Sequence, residues 1–326
     1  MEIFHHFNGL PPAFRGSAVA IGNFDGMHLG HRALIGEAGR IARGQGLPWA
    51  VLTFEPHPRS LFQPDAAPFR LTSFRAKARA IEALGVDVLV CLAFDRDFSR
   101  QSADAFVSDV LAGGLGARHV VCGYDFVFGH NRGGNAELLM RAGERLGFAF
   151  TSVAAVGDRQ CAVYSATRAR NCLTDGKPAE AAAVLGRPFE IEGPVERGDA
   201  RGRTIGFPTA NVALGEYLRP KIGVYAVRVM LEGERRWRDG ACNLGFRPTV
   251  DGKGHARLEV FVFDFDGDLY GRYLRVAFID FIRPEMQFTG IDQLKTQIES
   301  DCREARARLA RAPAMPEGTG NAGTHP

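Results

Sequence analysis

The sequence predicts two unlike halves: a doubly wound α/β domain over residues 1–184, then an antiparallel β-barrel with one closing helix over 185–311. Two observations carry this. In the first half, short continuous apolar runs alternate with helix-length stretches, the pattern of parallel strands buried on both faces. In the second, β-type runs follow one another across turn signals such as Asp251-Gly252 and Asp266-Gly267, with few helix-length segments between them. The length of 326 residues suits about two domains of ordinary size.

The first strand is Ala18–Ile21, which ends at Gly22, and a helical stretch follows to about Arg43. Trp49–Phe54, Val86–Phe94, His119–Cys122 and Phe148–Val156 complete a five-strand pattern. In such sheets ligands bind beyond the carboxyl ends of the strands. Gly, Pro and Arg then crowd residues 186–208. Tyr225–Val229, Leu258–Phe265 and Leu274–Phe281 read as strands, and 243–249 as a loop with polar and cationic content. Ile291, Leu294, Ile298, Ala305 and Leu309 fall near one face of a final helix. Residues 312–326 are rich in Gly, Pro and Thr and read as disordered.

Composition excludes several classes. Hydrophobic residues at 45% and charged residues at 24% are the balance of a globular chain. No run reaches the ~18 apolar residues of a membrane span, and the first residues do not form a signal peptide. Six cysteines form no CxxC and no zinc-spaced cluster, so they read as reduced thiols and the expected location is the cytoplasm. The net charge is +3; of forty basic residues only five are lysines. The arginine excess reads mainly as composition, and the balanced charge shows no basic stripe for nucleic acid.

Directly after the first strand stands Gly22-Asn23-Phe24-Asp25-Gly26-Met27-His28-Leu29-Gly30-His31. At a helix start, His28 and His31 share one face beside unpaired N–H groups and the positive end of the helix dipole. Two imidazole donors there can hold nucleotide phosphates while charge builds, and Gly30 lets a planar base approach the backbone. The arrangement suits nucleotidyl transfer by positioning and electrostatics. Two surface histidines at a helix start are the bland alternative, and a metal site lacks a third local ligand.

Thr53-Phe54-Glu55-Pro56-His57-Pro58, Gly123–Gly129 (GYDFVFG) and Tyr164–Arg170 (YSATRAR) follow later strands. The hydroxyls of Ser165 and Thr167 could cap a helix. With Arg168 and Arg170 beside them they become clamps for a leaving pyrophosphate.

In the second half, Gly198, Gly202 and Gly206 permit a loop that wraps phosphates, although no Gly-Lys-Ser/Thr of a Walker loop follows. Thr209 and Asn211, just after Pro208, lie two apart, so on an extended chain both oxygens point the same way and could hold Mg²⁺ carried by ATP. Glu259 lies inside the apolar run LEVFVFDF on the face of Phe261 and Phe263, where a carboxylate is costly unless paired or working, and it could accept a proton from an alcohol. Arg283, Glu285 and Phe288 suit a planar polar heterocycle.

These motifs, met in order over residues 15–310, resemble the bacterial bifunctional riboflavin kinase/FAD synthetases. GNFDGMHLGH, TFEPHP, GYDFVFG and YSATRAR look like the adenylyltransferase set; GRTIGFPTAN, NLGFRPT, LEVFVFDF and RPEMQF look like the kinase set. The resemblance implies a Rossmann-like HxGH nucleotidyltransferase domain and a riboflavin-kinase-like barrel. It implies two reactions: riboflavin to FMN with MgATP, then FMN to FAD with release of pyrophosphate. Glu259 would be the kinase base, and Thr209 and Asn211 would hold the magnesium. Gly198, Gly202, Gly206 and Pro208 would surround the kinase nucleotide. His28 and His31 would stabilise the adenylyl transfer, with Gly22, Asn23, Asp25, Gly30, Ser165, Thr167, Arg168 and Arg170 around the nucleotide. His57, Asp125, Phe126 and Phe128 would line the flavin side of that site, and Asn243, Arg283, Glu285 and Phe288 that of the kinase. The family pattern usually has Ser where Ala166 stands, Ile at Ala169 and His at Phe261, so Ala166 is expected to slow adenylyl transfer. An RNA-binding synthetase relative and a chain with one dead domain are the competing readings.

Overall fold

The structure, a computed structural model, describes residues 1–197, 206–247 and 255–317. Gly198 and Gly202 therefore lie outside the described residues, as do Pro248 and Thr249 of the 243–249 segment and positions 318–326 of the tail. The chain forms two compact units, Met1–Ala67 with Phe74–Ser165, and Pro68–Ser73 with Ala166–Pro326.

The first unit is built on an all-parallel six-stranded sheet in the order β1-β4-β3-β2-β5-β6. The strands are β1 (Glu2–Phe4), β2 (Ala18–Ile21), β3 (Trp49–Glu55), β4 (Val88–Ala93), β5 (His119–Gly123) and β6 (Ala149–Val153). Five match the sequence pattern. The sixth, β1, adds only three residues to the edge beside β4, too short a run to signal itself. The order reverses between β2 and β5, and that reversal opens a crevice at their carboxyl ends. Alternation along β2 shows why the sheet is doubly wound. Ala18 and Ala20 pack with Ile35, Ala38 and Ile41 of helix α1 (Leu29–Gln45), while Val19 and Ile21 pack with Phe106, Val107 and Leu111 on the opposite face. All four β2 residues are buried.

The second unit holds a closed antiparallel barrel in the order β10-β11-β8-β7-β12-β9. Its strands are β7 (Phe189–Glu196), β8 (Ala210–Val212), β9 (Gly223–Leu231), β10 (Arg238–Arg247), β11 (His255–Val262) and β12 (Tyr273–Arg283). Two differences from the sequence reading stand out. The crowded stretch after 186 contains β7, and residues 243–247 are not a loop but the end of β10, paired in register with β11. Glycine disguised that strand: a Cβ on Gly240 would lie 2.6 Å from the Phe261 carbonyl, and one on Gly245 would collide with the Glu285 carboxylate. Both positions are bare because something else approaches the backbone there.

The closing helix, Ile291–Arg311, packs Ala305 and Leu309 onto Ala226, Ala241 and Phe263. Its first residue, Ile291, is instead 66% exposed and leaves the expected apolar face. Arg228 closes the far end, donating to the carbonyls of Leu309, Ala312 and Pro313. Helices Ala166–Thr174 and Pro178–Leu185 also belong to this unit. So does the segment 68–73: Arg70 pairs with Tyr217 as a parallel bridge, Arg70 N–H donates to Glu216, and Ser73 Oγ donates to the buried Glu192 carboxylate at 2.6 Å.

Candidate active sites

In the first unit the chain leaves β2 through a tight loop. Phe24 (φ 50°), Gly26 (φ 78°) and Met27 (φ 45°) all have left-handed backbones, and the Phe24 ring lies where a Cβ on Gly22 would be, 2.9 Å away. That reversal delivers His28 to the cap of α1, where its Nδ1 accepts the His31 N–H at 3.3 Å. The two imidazoles stack with centroids 3.5 Å apart, and the edge of Phe24 meets His31 at 5.2 Å. His28 and Asp25 are buried. A Cβ on Gly30 would sit 3.1 Å from His28 Nδ1 and 3.3 Å from the Tyr164 carbonyl, so the bare position here admits the His28 imidazole and the chain leading to Ser165.

His31, Gly22 and Asn23 form the lip of a cavity of about 790 Å³ at the switch point of the sheet. Phe54, Phe94, Phe98, Phe106, Phe126 and Phe128 give it an aromatic wall, with Phe126 and Phe128 stacked at 5.5 Å. His57, Asp125, Arg59, Arg100, His130 and Arg132 add polar groups. His57 Nδ1 accepts the Arg59 N–H and caps the short helix Pro58–Phe62. The structure thus brings Gly22, Asn23, His31, His57, Asp125, Phe126 and Phe128 to one hollow. Phe94, Phe98 and the arginines were missed; Phe94 reads in sequence only as the last letter of an apolar strand.

The remaining members of YSATRAR are divided between the units. Ser165 ends the first, while Thr167, Arg168 and Arg170 lie on the helix Ala166–Thr174 of the second. Thr167 is exposed, and Arg170 donates through Nε to the Phe69 carbonyl at 2.9 Å while its guanidinium lies 5.6 Å from the Phe69 ring.

In the barrel, β11 runs between β8 and β10, so Glu259 has Asn211 as its register partner on one side and Asn243 on the other. Directly opposed residues share a face, which puts a carboxylate between two amides. Asn211 Oδ1 is buried and makes no hydrogen bond among the described residues. Thr209, Asn243, Glu259 and Phe261 line a cavity of about 270 Å³ beneath the closing helix. Phe207 meets Phe261 edge-on at 5.5 Å. Gly206 has φ 91°, a conformation that favours glycine, and Pro208 is exposed. Across the cavity Asn243 Nδ2 donates to Glu285 at 3.2 Å. Arg283 lines the wall, but its guanidinium forks onto the buried Asp301 at 2.8 and 2.6 Å, 5.9 Å from the Phe288 ring. Cys302, also in the wall, is pushed up to about 11 by burial and stays a thiol near neutrality.

Two family models divide the sequence between them: FAD synthetase matches residues 10–167 and riboflavin kinase residues 185–309. The bifunctional riboflavin kinase/FMN adenylyltransferase of Escherichia coli K12 is 44% identical over 291 residues, covering 89% of this chain and 92% of that protein. The chain belongs to the bifunctional riboflavin kinase/FMN adenylyltransferase family.

The Pseudomonas fluorescens member of this family is 42% identical and covers 95% of this chain and 98% of its own length. A solved chain described as a macrolide-efflux protein from Streptococcus pneumoniae has the same architecture, with TM-score 0.80, 33% identity, and 93% and 98% of the two chains covered. Among the described residues of this chain no helix is long and apolar enough to cross a membrane. In the family arrangement both catalytic domains are present, FAD synthetase first and riboflavin kinase second. The hollow that His31 lines lies in the FAD synthetase match, and the Asn-Glu-Asn row in the riboflavin kinase match.

Proposed function

We propose that the two cavities act successively on one flavin, with the functional boundary near residue 185. In the barrel, Glu259 takes the proton of the riboflavin 5′-hydroxyl as that oxygen attacks the γ-phosphorus of ATP; the bond to the β-phosphate oxygen breaks, leaving FMN and ADP. Thr209 and Asn211 fit a magnesium ion that arrives on ATP. The buried Asn211 oxygen has no hydrogen-bond partner among the described residues, and both residues offer neutral hard oxygens. Bound there, magnesium neutralises charge on the phosphates. Gly206 and Pro208, just before Thr209, stand on the nucleotide side; Asn243, Arg283, Glu285 and Phe288 border the flavin.

In the first unit, an FMN phosphate oxygen attacks the α-phosphorus of a second ATP, the α–β bond breaks, and FAD and pyrophosphate form. His28 and His31 donate to the transferring phosphate. Gly22, Asn23, Asp25 and Gly30 shape the loop around the nucleotide, and Ser165, Thr167, Arg168 and Arg170 receive the pyrophosphate. The aromatic wall with His57 and Asp125 takes the isoalloxazine. The partners are riboflavin, FMN, FAD and ATP, with neither nucleic acid nor membrane, and the location is the cytoplasm.

The in-register Asn211–Glu259–Asn243 row supports this reading most directly, because it sets a half-buried carboxylate on the cavity wall beside two amides, within reach of a bound hydroxyl's proton. The test incubates the protein with riboflavin, ATP and Mg²⁺ and separates the flavins by chromatography. Glu259→Ala should stop riboflavin at the first step while added FMN still becomes FAD; His28→Ala should allow FMN to accumulate. Either substitution stopping both steps would overturn the two-site assignment.

A further inference from the structure

Lys77 is wholly buried, one of only five lysines in the chain, on the helix Phe74–Glu82. Its ammonium donates to Glu55 Oε1 at 2.7 Å and to Thr53 Oγ1 at 3.4 Å. Thr53, equally buried, passes its own hydroxyl proton toward the Asn23 carbonyl at 3.2 Å. The ammonium can only donate, which leaves the Thr53 hydroxyl one direction to point: to Asn23. One buried cation thereby ties together the carboxyl ends of β2 and β3. Asn23 is on the lip that carries His31, and Glu55 stands two residues before His57. Replacing a buried ion pair by well-packed apolar residues often costs no stability, so the pair itself is weak evidence of a stabilising role. What the contacts of Lys77 do show is a fixed geometry around Thr53 and Glu55.

We infer that Lys77 is a positioning residue for adenylyl transfer, acting through Thr53 on the backbone of Asn23 and so on the lip beside the two histidines. The inference rests on reading the first unit as the adenylyltransferase.

Thr53→Val tests it, because the valine keeps the shape and removes only the hydroxyl relay. In the full chain, Thr53→Val is expected to lower kcat for FMN to FAD about tenfold, as misplacement of a reacting group does. The thermal midpoint should stay within a few degrees of the parent, and riboflavin phosphorylation in the same molecule should be unchanged. Lys77→Met is expected to lower the same kcat, and the double variant should be no slower than the slower single one. If Thr53→Val matches the parent in kcat, or if the losses multiply in the double variant, the relay is refuted. A parent protein that makes FMN but no FAD would instead refute the adenylyltransferase reading itself.

Discussion

His28 and His31 stack their imidazoles at 3.5 Å with an interplanar angle of 24°, and the backbone of Gly30 passes close beneath His28. The stack is a product of chain geometry. The left-handed loop before it aims His28 at the helix cap, and three residues of helix bring His31 to the same face.

Gly30→Ala would place a methyl 3.1 Å from His28 Nδ1 and 3.3 Å from a backbone carbonyl, closer than ordinary contact. The ring must give by a few tenths of an ångström to relieve it. FAD formation from FMN should fall about 10- to 100-fold, the scale of a small misplacement in an active site. Riboflavin phosphorylation in the same preparation should be untouched.

Gly245→Ala acts on the other unit. Its methyl would displace the Glu285 carboxylate and with it the bond from Asn243, the residue in register with Glu259. Riboflavin phosphorylation should weaken, mainly through a higher KM for riboflavin, while added FMN is converted to FAD at the parent rate. Steady-state kinetics on each step separately checks both halves of the statement.

Ala166 begins the helix Ala166–Thr174 where a second hydroxyl would follow Ser165. A serine there adds a donor for a departing pyrophosphate. Ala166→Ser should therefore raise the rate of FMN adenylylation; an unchanged single-turnover rate would remove Ala166 from the account.

His119, at the start of β5, shares a 2.8 Å hydrogen bond with Thr151. Burial holds its pKa below the usual 6.5, despite the opposing charge of Glu37. The folded state then binds this proton less readily than the unfolded chain. The stability it contributes is complete above about pH 6.5 and is lost as pH falls from there toward the lowered folded value. Urea midpoints of the parent should drop between pH 7.5 and 5.5 more steeply than those of His119→Asn, an outcome equal slopes would contradict.

Much of this was legible in the letters. Val51, Val90 and Val121 announce a sheet buried on both faces because burial on both sides leaves no polar alternation to confuse. HxGH and PTAN declare themselves because phosphate and metal chemistry restricts residue type and spacing together. What stayed hidden is relational. β10 reads as a loop because Gly240 and Gly245 give way to a carbonyl and a carboxylate from distant segments. Arg283, singled out as a flavin contact, has its guanidinium forked onto Asp301, eighteen residues away. Lys77 carries no motif at all, and only its burial beside Glu55 reveals it. Nor does any local signal tell that Phe69 and Ser73 serve the barrel's unit.

That last feature bears on how the protein is made. Ser73 meets Glu192, 119 residues later, and its amide meets Tyr217, 144 residues later. During synthesis the segment 68–73 emerges early and must wait, its partners still untranslated, while most of the first unit is completed between. The second unit thus matures by reaching back to a piece of chain made long before it, and a fragment that starts at its first strand is born without that piece.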